Sequence, residues 1–226
     1  MKNIYNKIKT NALFKGISED EANKMLNCFT SYEKKYSKGE IIFSEGDKID
    51  IIGLITFGCV HIVREDYSGN RTIIAEIKAG SMFAEAFALA SENEKILPVS
   101  IYAASDCEVL FFNYQKIVAA CRNSCPCHVR FIENMLSVVS RKNIMLNRRL
   151  GHLSKRSTKE KLLSYLYEQA ALFGQNSFCI PFNRQQLADY LCVERSAMSA
   201  VLSELRKSGK IDYTKNHFVL NDFSEF

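Results

Sequence analysis

Proline is scarce in this sequence, with three residues in 226, and there are only ten glycines. That excludes collagen-like and low-complexity chains, while a 47% hydrophobic and 24% charged share fits an ordinary globular protein able to bury a core. No apolar run reaches the roughly 18 residues that a membrane span needs. The start, Met1 to Thr10, is polar and lysine-bearing and has no apolar signal core. A cytoplasmic location with no membrane partner is expected. Also missing are a phosphate-cradling glycine loop of the Walker type, a zinc-protease helix and a nucleophile elbow. No catalytic residue, metal ligand set or cofactor is therefore assigned, and the chain is not read as an enzyme. The eight cysteines would suit a disulfide framework only in a small secreted chain, so they are expected to be free thiols.

What is present points to two modest domains. The formal charge of +5 permits a polyanionic partner, and its distribution says more than its sum. Arg141, Lys142, Arg148, Arg149, Lys155, Arg156, Lys159 and Lys161 face only Glu160 in the stretch where two domains would join; for half of them a solvated helix face serves as well. Ser18 followed by Glu21 predicts a capping box for a helix running to about Phe29. From Lys38 to Phe112, short β-branched and aromatic runs are broken by glycine: Glu40 to Phe43, Ile49 to Phe57, Val60 to Arg64, Arg71 to Ile77, Val99 to Ala103 and Glu108 to Phe112. Such spacing predicts an antiparallel sandwich or barrel, with Ser68-Gly69-Asn70 as the clearest hairpin turn.

Beyond Cys127 the pattern turns helical. In a heptad frame, Ile132, Val139, Leu146 and Leu153 fall at d, and Leu136, Asn143 and Leu150 at a. That is a two-stranded seam whose lone asparagine can fix register and dimeric state; the alternative is an amphipathic helix packed on its own domain. A helix over Thr158 to Phe173, a strand near Phe178, two more helices and a strand-rich end follow, the order of a winged helix-turn-helix. Within Asn183 to Ile211, Asn183 caps the first helix of the motif and Cys192-Val193 make its turn. Ala197, Met198, Val201, Leu202 and Leu205 are expected to face inward. Glu194, Arg195, Ser196, Ser199 and Ala200 then stand outward near the start of the second helix, where a major-groove reader places its contacts. Arg195 can fork onto guanine O6 and N7, and the two serines can meet base edges or phosphates. Arg184 joins them as a candidate DNA contact; a solvated helix face is the plain alternative for the group.

Taken together, KGEIIFSEGD (Lys38 to Asp47), the strands after it, FAEAFAL (Phe83 to Leu89), PVS (Pro98 to Ser100), the heptad helix and NRQQLADYLCVERSAMSAVLSELRKSG resemble the Crp/Fnr family of bacterial transcription regulators over nearly the whole chain. The resemblance implies base or phosphate contacts at Arg195, Ser196 and Ser199. Ala200 stands where many relatives have arginine, which removes one contact. Nucleotide-binding relatives grip the ribose with Gly-Glu and the cyclic phosphate with Arg-Ser; the matching residues here are Ala84-Glu85 and Val99-Ser100. Without a guanidinium at Val99 a buried phosphate has no fork to pair with. Around Met145 and Leu146, where relatives offer hydroxyls to the base, this chain is apolar. Glu85, Val99, Ser100 and Met145 thus mark a candidate effector pocket not built for cyclic AMP, with Glu85 serving as a cap or core-edge carboxylate. A second candidate sensor is Cys121, Cys125, Cys127 and His128: if Pro126 opens the helix, its dipole favours a nearby thiolate. The spacing matches no common zinc or iron–sulfur pattern, and buried cysteine as a small hydrophobe is the competing reading.

The expected fold class is α+β: an N-terminal antiparallel β-roll of jelly-roll type as sensor (1–127), a dimerisation helix (128–154) and a C-terminal winged helix-turn-helix (155–226). The expected function is homodimeric, sequence-specific DNA binding under an effector other than cyclic AMP. The expected partners are a near-palindromic duplex, a second copy of the chain, a small-molecule or redox effector, and RNA polymerase as a candidate. The competing function is a ligand-binding or protein-interaction module that has lost specific DNA binding.

Overall fold

The computed structural model describes residues 4–65, 71–118 and 125–221. The chain divides into two compact units, Met1–Val138 and Val139–Phe226. The first begins with helices α1 (Ile4–Ile8) and α2 (Glu19–Cys28). Ser18 and Glu21 form the expected capping box at α2, the Glu21 carboxylate accepting the Ser18 N–H at 2.8 Å. Strands β1 (Tyr32–Tyr36), β2 (Ile41–Phe43), β3 (Ile51–Phe57), β4 (Cys59–Glu65), β5 (Arg71–Lys78) and β6 (Met82–Phe83) come next. Helix α3 (Glu85–Ala88), strands β7 (Ser100–Ala103) and β8 (Cys107–Asn113) and helix α4 (Tyr114–Val118) complete the roll. The strands form two four-stranded antiparallel sheets in the orders β1-β8-β3-β6 and β2-β7-β4-β5. This is the jelly-roll-like arrangement read from the strand spacing. The Ser68-Gly69-Asn70 turn expected between β4 and β5 lies outside the described residues.

Each strand's place follows from its side chains. Strand β8 lies between two neighbours and buries Val109, Leu110, Phe111 and Phe112 in succession, as a strand covered on both faces does. Edge strand β1 reads YEKKY, and its charges discourage pairing with another chain. Lys7 reaches across to Glu33 at 2.6 Å, and Lys35 to Glu108 at 2.6 Å. Lys35 and Lys7 hold the Glu108 carboxyl below the usual carboxylate range. At Gly53 a Cβ would stand 2.3 Å from the Phe83 ring, so only glycine lets that ring close on β3. A second aromatic cluster joins Phe14, Phe29 and Phe112 to Phe131 with centroids 5.1–6.4 Å apart. Each fully buried ring contributes about 1.5–3 kcal/mol.

Phe131 sits on α5 (Pro126–Leu153), a 28-residue helix. Pro126 opens it at the position where a missing N–H does no harm. In the second unit follow α6 (Thr158–Phe173), β9 (Ser177–Cys179), α7 (Arg184–Leu191), α8 (Arg195–Lys207), β10 (Ile211–Thr214) and β11 (His217–Leu220). The strands form one sheet in the order β10-β11-β9. Ser157 and Glu160 cap α6, and Gly174 ends it with φ +64°. Leu166, Leu187, Leu191, Met198, Leu202 and Phe218 make a core in which none is more than 1% exposed. One expectation is corrected: Ala197 is exposed. A helix turns 100° per residue, and the inward stripe is Met198, Leu202 and Leu205 with Val201 half-buried beside it, which carries Ala197 off the packed side.

Candidate nucleic-acid interface

Helices α7 and α8 are set by local chemistry. Asn183 Oδ1 accepts the Gln186 N–H at 2.9 Å, and Gln186 Oε1 accepts the Asn183 N–H at 2.9 Å. The chain leaves α7 through Cys192 in the left-handed region (φ +50°), and the Val193 N–H closes the turn on the Ala188 carbonyl at 3.0 Å. Ala188 is fully buried, and its lone methyl leaves room for the helices to cross. Glu194 precedes α8 and makes no side-chain cap bond.

Arg195, Ser196, Ser199 and Ala200 are all exposed on α8. Arg195 forms no ion pair among the described residues. The Ser199 hydroxyl donates to the Arg195 carbonyl at 2.8 Å. Arg184 is placed differently: its guanidinium lies 4.6 Å over the Tyr213 ring and 4.9 Å over the Phe218 ring, and burial lowers its pKa. It ties the hairpin β10–β11 to the start of α7.

The basic stretch separates into two groups. Arg148 pairs with Glu168 at 3.1 Å and Lys159 with Glu204 at 2.7 Å. Arg149 donates to the Tyr190 carbonyl at 3.1 Å and lies 5.1 Å over the Tyr190 ring. Arg141, Lys155 and Arg156 remain exposed. Sequence reasoning missed His152, which is buried with Nδ1 2.9 Å from Ser164 Oγ and Nε2 2.7 Å from Glu168 Oε2. No motif marks it, because its partners lie on α6, 12 and 16 residues away.

In the first unit Glu85 is buried at the first turn of α3, and Val99 is 6% exposed. The Ser100 Oγ accepts the Glu45 N–H at 2.9 Å. Ala84 takes up φ +63°, a conformation that suits glycine and strains alanine. We expect Ala84→Gly to stabilise the protein by about 0.5–1 kcal/mol, read as a higher denaturant midpoint. In the second unit Met145 is 62% exposed.

Among the described residues no disulfide joins two cysteines; Cys125 is half-buried and Cys127 buried, while Cys121 lies outside the described residues. Among the described residues no three His, Cys, Asp or Glu side chains gather as a metal site. His128 is 8% exposed, packs edge-on at 5.1 Å against Phe29 and leaves Nδ1 without a hydrogen bond. Burial pushes its pKa below the ordinary histidine value. The folded state therefore favours the neutral ring. The stability this gives is whole above the unfolded pKa, roughly 6.5, and is lost as pH falls toward the depressed folded value. Melting temperature should drop across that window in the parent chain and drop less in His128→Leu.

Among the described residues no helix is long and apolar enough to cross a membrane. The family model for a cyclic nucleotide-binding domain matches residues 33–124, and that for a Crp-like helix-turn-helix domain matches residues 160–225, together well over half of the chain. A probable transcriptional regulator, flp, of Lacticaseibacillus casei is 22% identical over 200 residues, covering 88% of this chain and 87% of that protein. The transcriptional activator protein FnrL of Cereibacter sphaeroides is 22% identical over 205 residues, covering 85% and 78%. A CooA mutant from Carboxydothermus hydrogenoformans shares the fold with a TM-score of 0.58 at 19% identity, over 96% of this chain and 94% of that one. CprK complexed with OCPA shares it with a TM-score of 0.61 at 14% identity, over 89% and 91%. A β-roll and a capped helix-turn-helix, each matched in its own half by the corresponding family model, identify the chain as a member of the Crp/Fnr family of transcription regulators.

Proposed function

We propose that this regulator is a homodimer that reads a near-palindromic duplex with two copies of α8, under an effector other than cyclic AMP. On this reading residues 1–127 sense, 128–154 pair two chains and 155–226 bind DNA. The observation that carries it is the outward side of α8, where Glu194, Arg195, Ser196 and Ser199 are exposed at the end that enters the major groove in this motif. Pairing is supported by the heptad face of α5: Leu136 is 60% exposed, and Leu146 and Leu150 are each 62% exposed. Leucines so arranged with Asn143 at an a position suit a parallel partner helix, which would set the two recognition helices about 34 Å apart.

An effector other than cyclic AMP is supported by buried Val99, which offers a phosphate no charge. Glu85, Val99 and Ser100, all in the first unit, are the candidate effector residues, with a small molecule as the class of ligand. For Cys127 the burial favours a packing role over a redox or metal sensor. RNA polymerase is the partner through which such a protein would act on transcription.

The test is the salt dependence of affinity for duplex DNA. Exposed Arg141, Lys155 and Arg156 would displace counterions, so affinity should fall by roughly a thousandfold between about 50 and 200 mM salt. A flat response would favour a module that has lost DNA binding.

A further inference from the structure

We infer that α8 selects A·T-rich half-sites through thymine methyl contacts to Ala200 and Ala197, with Arg195 making the one strong guanine contact. The inference rests on the DNA-reading role proposed for α8. Between Arg195 and the end of the helix, the exposed positions before Glu204 are Ser196, Ala197, Ser199, Ala200 and Ser203. None of these carries more than two heavy atoms beyond Cα. Bidentate recognition of adenine needs an amide, and acceptance from cytosine needs a carboxylate; past Arg195 neither stands before Glu204, and Glu194, just ahead of the helix, is placed for the cytosine of the one G·C pair that Arg195 reads. The charged groups nearby are turned to other work: Glu204 pairs with Lys159 at 2.7 Å, and Arg206 pairs with Asp212 at 2.9 Å. Arg195 is therefore the group left to fork onto guanine O6 and N7.

The serines are not neutral readers. Ser199 Oγ donates its proton to the Arg195 carbonyl at 2.8 Å, and Ser203 Oγ donates to the Ser199 carbonyl at 3.0 Å. Each hydroxyl thus presents lone pairs alone to the groove. The major-groove donors are adenine N6 and cytosine N4, and only adenine is paired with a base that carries a C5 methyl. Exposed Ala200 and Ala197 supply the small apolar surface such a methyl packs on. Short side chains also let the helix backbone sit deep enough for that contact. Acceptor hydroxyls beside methyl surfaces match A·T pairs; they do not match runs of G·C.

The experiment is selection from random duplexes by the full chain at low ionic strength, followed by replacement of each selected thymine with uracil. The expected outcome is one fixed guanine in each half-site beside a stretch of A·T pairs. Removing a contacted methyl should weaken binding roughly fourfold, as loss of one buried carbon does. In Ala200→Ser the effect at one thymine should vanish while the others persist, which separates a methyl contact from a preference for flexible DNA. Half-sites with two or more fixed guanines, or duplexes indifferent to uracil, would overturn the inference and leave DNA reading intact. Failure to enrich any duplex would overturn both.

Discussion

Arg195→Ala should lower affinity for the selected duplex by roughly 10- to 100-fold and erase discrimination at one base pair per half-site. The side chain is exposed at the first position of α8 and holds no ion pair among the described residues, so the fold loses nothing when it goes. Melting temperature should stay close to that of the parent, since exposed substitutions of this kind move stability within about 0.5 kcal/mol. Arg195→Lys is the informative companion. It keeps the charge and the phosphate attraction but replaces the rigid planar fork with an ammonium on a flexible stem, so non-specific affinity should survive while discrimination falls. Alanine at exposed Arg156 should do the opposite, weakening every duplex alike.

If two chains pair through α5 as proposed, Leu146→Asp combined with Leu150→Asp should leave the protein a monomer. Both leucines are 62% exposed in the chain, so neither change opens a cavity in the monomer's own core. At paired d and a positions the same changes set carboxylates against their symmetry copies in an apolar seam, where removing a charge from water costs several kcal/mol. Sedimentation should show a single chain with unchanged circular dichroism. Affinity for the near-palindrome should fall toward the non-specific level, because each remaining reader holds one half-site. A double variant that still sediments as a dimer would place the interface elsewhere.

Local rules made much of this readable in sequence. The boxes Ser18/Glu21 and Asn183/Gln186 involve groups three residues apart, and the strand formers between glycines state their own pairing. The fold class and the helix-turn-helix were legible for that reason. Strand β1 was not, because YEKKY carries charge where a strand search looks for apolar alternation, and its place is set by pairing with β8. The outward position of Ala197 was hidden by its small size, since an alanine fits either side of a helix. The His152 cluster and the stacking of Arg184 on Tyr213 and Phe218 were illegible because they join residues far apart in the chain. The strain at Ala84 could be suspected only through the glycine that relatives place there.

The central claim is that two copies of one chain present α8 to one duplex. The mass of the complex, measured by sedimentation on a selected near-palindrome, tests it most directly. Two chains per duplex, with a half-site duplex bound far more weakly, is the result the account predicts. One chain per duplex at saturation, or no complex at low ionic strength, would contradict it.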